Sequence, residues 1–205
     1  SQQLGAETRL PFETRLRLGA AFHRWSDVNR STLSPAAAND GNRRTAAGTS
    51  GILLNRFSVA EITGQLSGWA GQTPLALQAT LARNYAARQD LGSVAAACPA
   101  GDTCPLARDG YQYGLIVGSA KTAGSWEAAF FQKYSQTDVT VADAADSDFG
   151  DGGTNGQGQI LWAAYAPTDW MQLKAKFLNT DAIDTQFAPN DKAVKRLQLD
   201  LSVKF

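Results

Sequence analysis

The chain has little of three things that usually announce a function: it carries two cysteines, one histidine and one methionine in 205 residues. It also lacks any long apolar run. No stretch approaches the roughly 18–20 consecutive apolar residues of a membrane-spanning helix, which excludes a helical membrane protein. A membrane barrel is not excluded, because its strands need only about 9–11 residues each and are apolar at alternate positions. The mean hydropathy of −0.26 is compatible with that pattern. Charge of one sign is missing as well: 19 basic residues balance 19 acidic ones, so the surplus that marks a nucleic-acid binder is absent. Cys98 and Cys104, with His23 far off, are too few ligands for a zinc site. They flank the turn-forming sequence Pro-Ala-Gly-Asp-Thr. A local disulfide is therefore expected, which implies an oxidising compartment such as the periplasm or cell surface. No start Met, secretory signal or lipidation motif is visible, and Ser1 is expected to follow a cleavage or to begin a fragment.

What the chain has in abundance is two-residue alternation. In Arg196-Leu-Gln-Leu-Asp-Leu-Ser-Val-Lys-Phe205 every second residue is apolar, which places Leu197, Leu199, Leu201, Val203 and Phe205 on one face of a strand. A first strand at about 9–23 sets Leu10, Phe12, Leu16, Leu18, Ala20 and Phe22 against Arg9, Glu13, Arg15, Arg17 and His23. That is long for a soluble strand of about five or six residues and suits a tilted membrane strand. Further strands are read at about 57–70, 74–86, 110–121, 126–137 and 157–166, followed by one over Met171–Phe177 and the C-terminal strand, eight in all. Tyr111, Tyr113, Leu115 and Val117 are assigned outward on the fourth, and Trp126, Ala128 and Phe130 on the fifth. On the sixth the apolar face is read as Ile160, Trp162 and Ala164.

Connection lengths carry more than any one strand. Gly71–Pro74, Thr122–Ser125 and Ala166–Asp169 are tight turns, whereas residues 24–56, 87–109, 138–156 and 179–193 are long polar loops. Short turns at one end and long loops at the other are the signature of an outer-membrane barrel, with the short ends periplasmic. Aromatics follow the same division. Trp69, Trp126, Trp170 and Phe205 fall at the short-turn level, and Phe22, Trp25, Tyr85, Tyr111 and Tyr134 toward the long loops, as expected of two membrane-interface belts. The fold class is thus all-β, an antiparallel up-and-down transmembrane barrel of eight strands or a portion of a larger one, in a single domain over 1–205.

The segment Asp146-Ser-Asp-Phe-Gly-Asp-Gly-Gly-Thr-Asn-Gly-Gln-Gly158, with the strand, short turn, strand and Arg-Leu-Gln-Leu-Asp-Leu-Ser-Val-Lys-Phe that follow, resembles the C-terminal region of the proteobacterial "putative porin" family. The resemblance covers about residues 110–205. Members of that family are generally longer, with more strands. It implies an outer-membrane barrel of a Gram-negative bacterium with passive channel activity, and it brings no catalytic residues or cofactor.

If the apolar faces meet lipid, the opposite faces line the interior: Glu13, Arg15, Arg17, Glu61, Gln65, Lys133, Lys174, Lys176, Arg196, Gln198 and Asp200. Basic residues outnumber acidic ones in this set. Uncompensated charge would be costly in the side-chain-filled interior of a small closed barrel, so the excess favours a hydrated lumen with a mild anion preference. An ion-paired plug in a closed barrel is the alternative. His23, Ser26 and Asp27 are neighbours in sequence, which seldom makes a catalytic relay. Asp143, Asp146, Asp148 and Asp151 could offer oxygen ligands to a divalent cation, but Gly150 interrupts the EF-hand pattern; a solvated or inward-folded loop is the competing reading. No metal, cofactor or enzymatic activity is expected. The expected partners are outer-membrane lipid and lipopolysaccharide, small hydrophilic solutes, and either further strands or other copies of the chain, with no nucleic acid. The alternatives in other classes are a closed structural or adhesive barrel acting through its loops, a lipid-modifying barrel enzyme and a soluble β binding domain.

Overall fold

The computed structural model describes residues 1–26, 28, 41–43, 53–87, 106–185 and 193–204. Among these, nine strands form one antiparallel sheet in sequence order: β1 (Gln2–Arg9), β2 (Arg15–Trp25), β3 (Phe57–Ala70), β4 (Thr73–Asn84), β5 (Asp109–Gly118), β6 (Trp126–Ser135), β7 (Gly156–Thr168), β8 (Met171–Ala182) and β9 (Val194–Val203). Each strand pairs with its neighbour in the chain, and β1 and β9 are not paired with each other. The sheet is therefore an open up-and-down array and not a closed barrel of eight.

The additional strand arises where the sequence reads as one long run. Residues 9–23 break between β1 and β2 at a hairpin in which Phe12 and Glu13 both have positive φ, 59° and 56°. The Leu10 amide donates to the Thr14 carbonyl at 2.8 Å and closes the turn. Two consecutive residues with positive φ match the twist of the flanking strands, but this geometry is normally supplied by Asn or Gly. Glu13 consequently lies in a turn, not on the wall where the alternation placed it. The other short turns fall near their expected places, at Gly71–Gln72, between Gly118 and Trp126, and at Asp169–Trp170. Gly71, with φ of 61°, supplies the left-handed turn residue that other side chains resist.

Cross-strand register turns the alternation into two continuous faces. Leu16, Leu66, Leu77, Leu115, Phe130, Leu161, Phe177 and Leu197 are successive partners from β2 to β9, one unbroken apolar row. Further along the same face lie Ile62 with Leu81 and Tyr111 toward the long loops, and Leu173 with Leu201 toward the short turns. These side chains are far from buried: Leu77 is 56% exposed, Leu81 60% and Leu199 75%. The opposite face has its own row through Glu7, Arg17, Gln65, Gln78, Gly114, Phe131, Ile160, Leu178 and Arg196. A cavity of about 510 Å³ on this face is bordered by residues from His23 on β2 to Lys133 on β6, so the sheet curves around it.

On β7 the register reverses the expected phase. Ile160 and Ala164 are buried on the inner face with Trp162, while Leu161, Ala163 and Tyr165 point outward. Both faces of this strand are apolar, so alternation of polarity cannot orient it. Trp69 shares the parity of Gln65 and Ser67 and borders an inner cavity, which places it at the rim of the inner face and not on the outer belt. Trp126 and Trp170 lie at the short-turn end, half exposed, as expected. Cys98, Cys104, Asp27 and Phe205 lie outside the described residues.

Candidate functional site

The inner face is the candidate site, and every interior residue expected from sequence, Glu13 apart, projects from it: Arg15, Arg17, Glu61, Gln65, Lys133, Lys174, Lys176, Arg196, Gln198 and Asp200. The residues divide into two groups. On β1–β4 the wall is open and polar. Glu7 pairs with Arg17, Gln78 donates to Gln65 at 3.0 Å, and the hydroxyls of Thr63 and Thr80 lie 3.2 Å apart. These are cross-strand pairs at facing positions, which satisfy one another and leave remaining donors and acceptors to solvent.

From β5 to β9 the same face is covered by the β6–β7 loop, residues 136–155. Phe149 of this loop is buried against Phe131, Ile160 and Leu178, with Ala129, Ile116 and Trp162 around them. Phe131 and Trp162 stack at 5.2 Å between ring centroids. Gly114 faces Phe131 across β5 and β6, and any Cβ there would collide with the Phe131 ring and the Phe130 carbonyl. The glycine in Tyr-Gln-Tyr-Gly-Leu is thus what lets that aromatic lie flat on the wall.

Charges hold the loop on this apolar seat. Asp146 lies 3.4 Å from Lys133, and Asp148 lies 3.9 Å from Lys176 and 3.7 Å from Arg196. Arg196 also donates to the carbonyls of Asp148 at 2.7 Å and Gly150 at 3.2 Å. Lys133 stands 4.5 Å above the Phe149 ring, a cation–π contact beside its ion pair. Partial burial works against ionisation of Asp146, but Lys133 and the Asp148 amide outweigh it and hold the carboxyl below its ordinary range. The acidic loop therefore folds inward, with Asp146 and Asp148 directed to the wall's cations. Among the described residues no group of three or more His, Cys, Asp or Glu is arranged to hold a metal.

A second fastening, unread in the sequence, lies at the long-loop end. Asn42 donates to the carbonyls of Thr137 at 2.6 Å and Thr140 at 2.9 Å, and accepts from the Ala142 amide at 2.8 Å. Fully buried Asn84 donates to the carbonyls of Arg56 and Asp138, both at 2.9 Å, while its oxygen accepts from the amides of Ser58 and Ala86. The Asp138 carboxylate accepts from the Arg43 amide at 3.2 Å and the Asn55 side chain at 2.8 Å. Burial pushes its pKa up to about 6, against the opposing pull of Arg43 and Asn55. The available signal was Asn and Asp at strand ends, residues whose short polar side chains bond readily to backbone groups.

Lys174 completes the site at the short-turn end. It lies 4.5 Å over the Trp162 ring and opposite Asp200 in the register of β8 and β9. The Trp162 Nε1 donates to Glu127 at 2.9 Å. His23 borders the cavity between the open wall and the loop, beside Glu61 and Thr80.

An antiparallel array with an apolar outer girdle, a polar inner wall and short turns at one end defines this protein as a β-barrel segment. The sequence pattern of the "Putative porin" family matches residues 43–205, and the chain belongs to that family. The match extends well upstream of the Asp146–Gly158 signature and the strands around it. That family points to a transport channel. Comparison with curated proteins and with solved structures finds no match.

Proposed function

We infer that this protein forms part of the wall of an outer-membrane porin, through which small hydrophilic solutes diffuse passively with a mild preference for anions. The observation that carries the reading is the pairing of the two faces: an apolar row unbroken across eight strands outside, and ionised and amide side chains inside. Soluble monomers rarely leave apolar surface so continuous in water, whereas a bilayer requires it. The surrounding partners on this reading are the lipid and lipopolysaccharide of a Gram-negative outer membrane.

Topology bears on how the wall closes. β1 and β9 both run from the long-loop end to the short-turn end, so they are parallel and cannot pair antiparallel with each other. Antiparallel closure takes an odd number of further strands between them from additional chain, because copies in the same orientation would meet β9 to β1 and repeat the parallel junction. That gives the even total found in bacterial single-chain barrels.

The anion preference rests on a different balance from a simple count of wall charges. Lys133, Lys176 and Arg196 are offset by the loop carboxylates. Arg9 and Arg15 on the open half form no ion pair and share Glu7 with Arg17, and this surplus raises the local anion concentration in a hydrated lumen. The test is planar-bilayer recording on the full chain. Ohmic current is expected, with an anion preference that fades between 0.1 M and 1 M salt as the Debye length falls from about 10 Å to about 3 Å. Arg15→Glu should move selectivity toward cations. Insertion of a closed barrel without current would remove the channel reading.

A further inference from the structure

At the short-turn end of the inner face, Arg9 and Arg15 stand directly opposite each other in the β1–β2 ladder. Facing residues have Cβ atoms about 4.5–5.5 Å apart, a placement at which like charges repel. The neighbouring carboxylates relieve this only in part. Glu7, one row away, attracts both arginines but forms its hydrogen-bonded ion pair with Arg17. Glu127, across the cavity, accepts from Trp162. Glu13, in the turn between the two strands, borders the same space without forming an ion pair with either arginine. Among the described residues neither Arg9 nor Arg15 takes part in any ion pair or side-chain hydrogen bond.

Both guanidinium groups border a cavity of about 870 Å³ that reaches across to Lys121 and also meets Gln65, Ser67 and Trp69. That volume lies in the range of sites for small molecules. A guanidinium is a fixed fork of donors matched to the paired oxygens of a carboxylate or phosphate. An oxyanion between two such forks replaces their repulsion with two charge-assisted contacts. Ser67, the cross-strand partner of Arg15, and Gln65 bring a hydroxyl and an amide to the same space, while Trp69 offers an apolar flank to a solute's carbon skeleton. Both arginines precede residues 43–205, which the family pattern matches.

We propose that Arg9 and Arg15 form an oxyanion subsite at the short-turn mouth of the channel, which holds the carboxylate or phosphate group of a solute in transit. The inference rests on the channel reading for the solute's route, but binding can be measured apart from conduction.

The test is calorimetric titration of the detergent-solubilised full chain with inorganic phosphate, succinate and chloride at about 0.1 M background salt. Saturable binding of phosphate or succinate is expected, weakened about tenfold or more by Arg9→Gln and by Arg15→Gln. Gln198→Ala, on β9 at the other side of the inner wall, should change it far less. The double variant Arg9→Lys with Arg15→Lys keeps the charge but loses the forks, and should bind more weakly than the native chain while remaining folded. The stronger of phosphate and succinate identifies the kind of oxyanion. Absence of saturable binding, or binding untouched by the Arg9 and Arg15 variants, overturns the subsite even if current is recorded. Binding without current supports the subsite and removes the porin reading instead.

Discussion

The two halves of the inner wall share one register yet differ in what lies above them. In the row that begins Glu7–Arg17–Gln65–Gln78, the open half presents ions and amides to water. The same row continues as Phe131–Ile160–Leu178, where Phe149 and the loop cover it. A strand whose inner face meets solvent alternates apolar and polar, whereas one covered on both sides is apolar on both. The apolar part of this row therefore marks the seat of Phe149, while Lys133, Lys176 and Arg196 around it pair with the loop's carboxylates. The girdle outside is apolar over both halves.

The sharpest way to break the comparison is to remove the cover. Phe149→Ala should loosen residues 136–155 by about 3–5 kcal/mol, the usual cost of deleting a buried phenyl ring. Hydrogen exchange should show protection lost in this loop and kept in β1–β4; equal loss across the sheet would mean that the halves are not separable. Conductance should rise if the loop narrows the lumen.

Next is the contrast between the faces of one strand in the open half. Leu77→Arg on the girdle should cost roughly 2–4 kcal/mol of folding stability in lipid vesicles. Its inward neighbour Gln78→Arg should cost no more than about 1 kcal/mol, chiefly the hydrogen bond to Gln65. Equal penalties would show that the faces are misassigned, since a one-residue slip exchanges them.

The covered half should also respond to pH through Asp138. Its pKa is raised to about 6 in the folded state, so between the ordinary carboxylate range near 4 and pH 6 the folded state binds more protons than the unfolded one. Stability from this group is then greatest below about pH 4 and is lost as pH rises through 6, by up to about 3 kcal/mol. Exchange protection in residues 136–142 should accordingly be higher at pH 5 than at pH 7.5. Asp138→Asn should flatten that dependence, and an unchanged pH profile in the variant would exclude Asp138 as its source.

The smallest expected effect lies in the open half. Thr63→Val removes the hydroxyl contact to Thr80 and should cost about 0.5–1 kcal/mol, because water can replace the lost partner. A penalty as large as that of Phe149→Ala would mean that the open wall is packed as tightly as the covered one.

Alternation along the chain was enough to read the class of fold, the short-turn and long-loop ends, and the inner or outer side of most wall residues. Alternation repeats with the strand's own two-residue period, and a single solvent contrast across the wall makes it visible: Leu77 against Gln78, or Leu199 against Gln198 and Asp200. Tertiary structure alone decided three things. The turn at Phe12 and Glu13 carries positive φ without Gly or Asn, so its local code is silent and two strands read as one. The phase of β7 is hidden because its inner face, covered by Phe149 of the preceding loop, is as apolar as its outer one. The partners of Asp138 and Asn84 come from several separate segments, and hydrogen bonds between such segments leave no period in the chain that makes them.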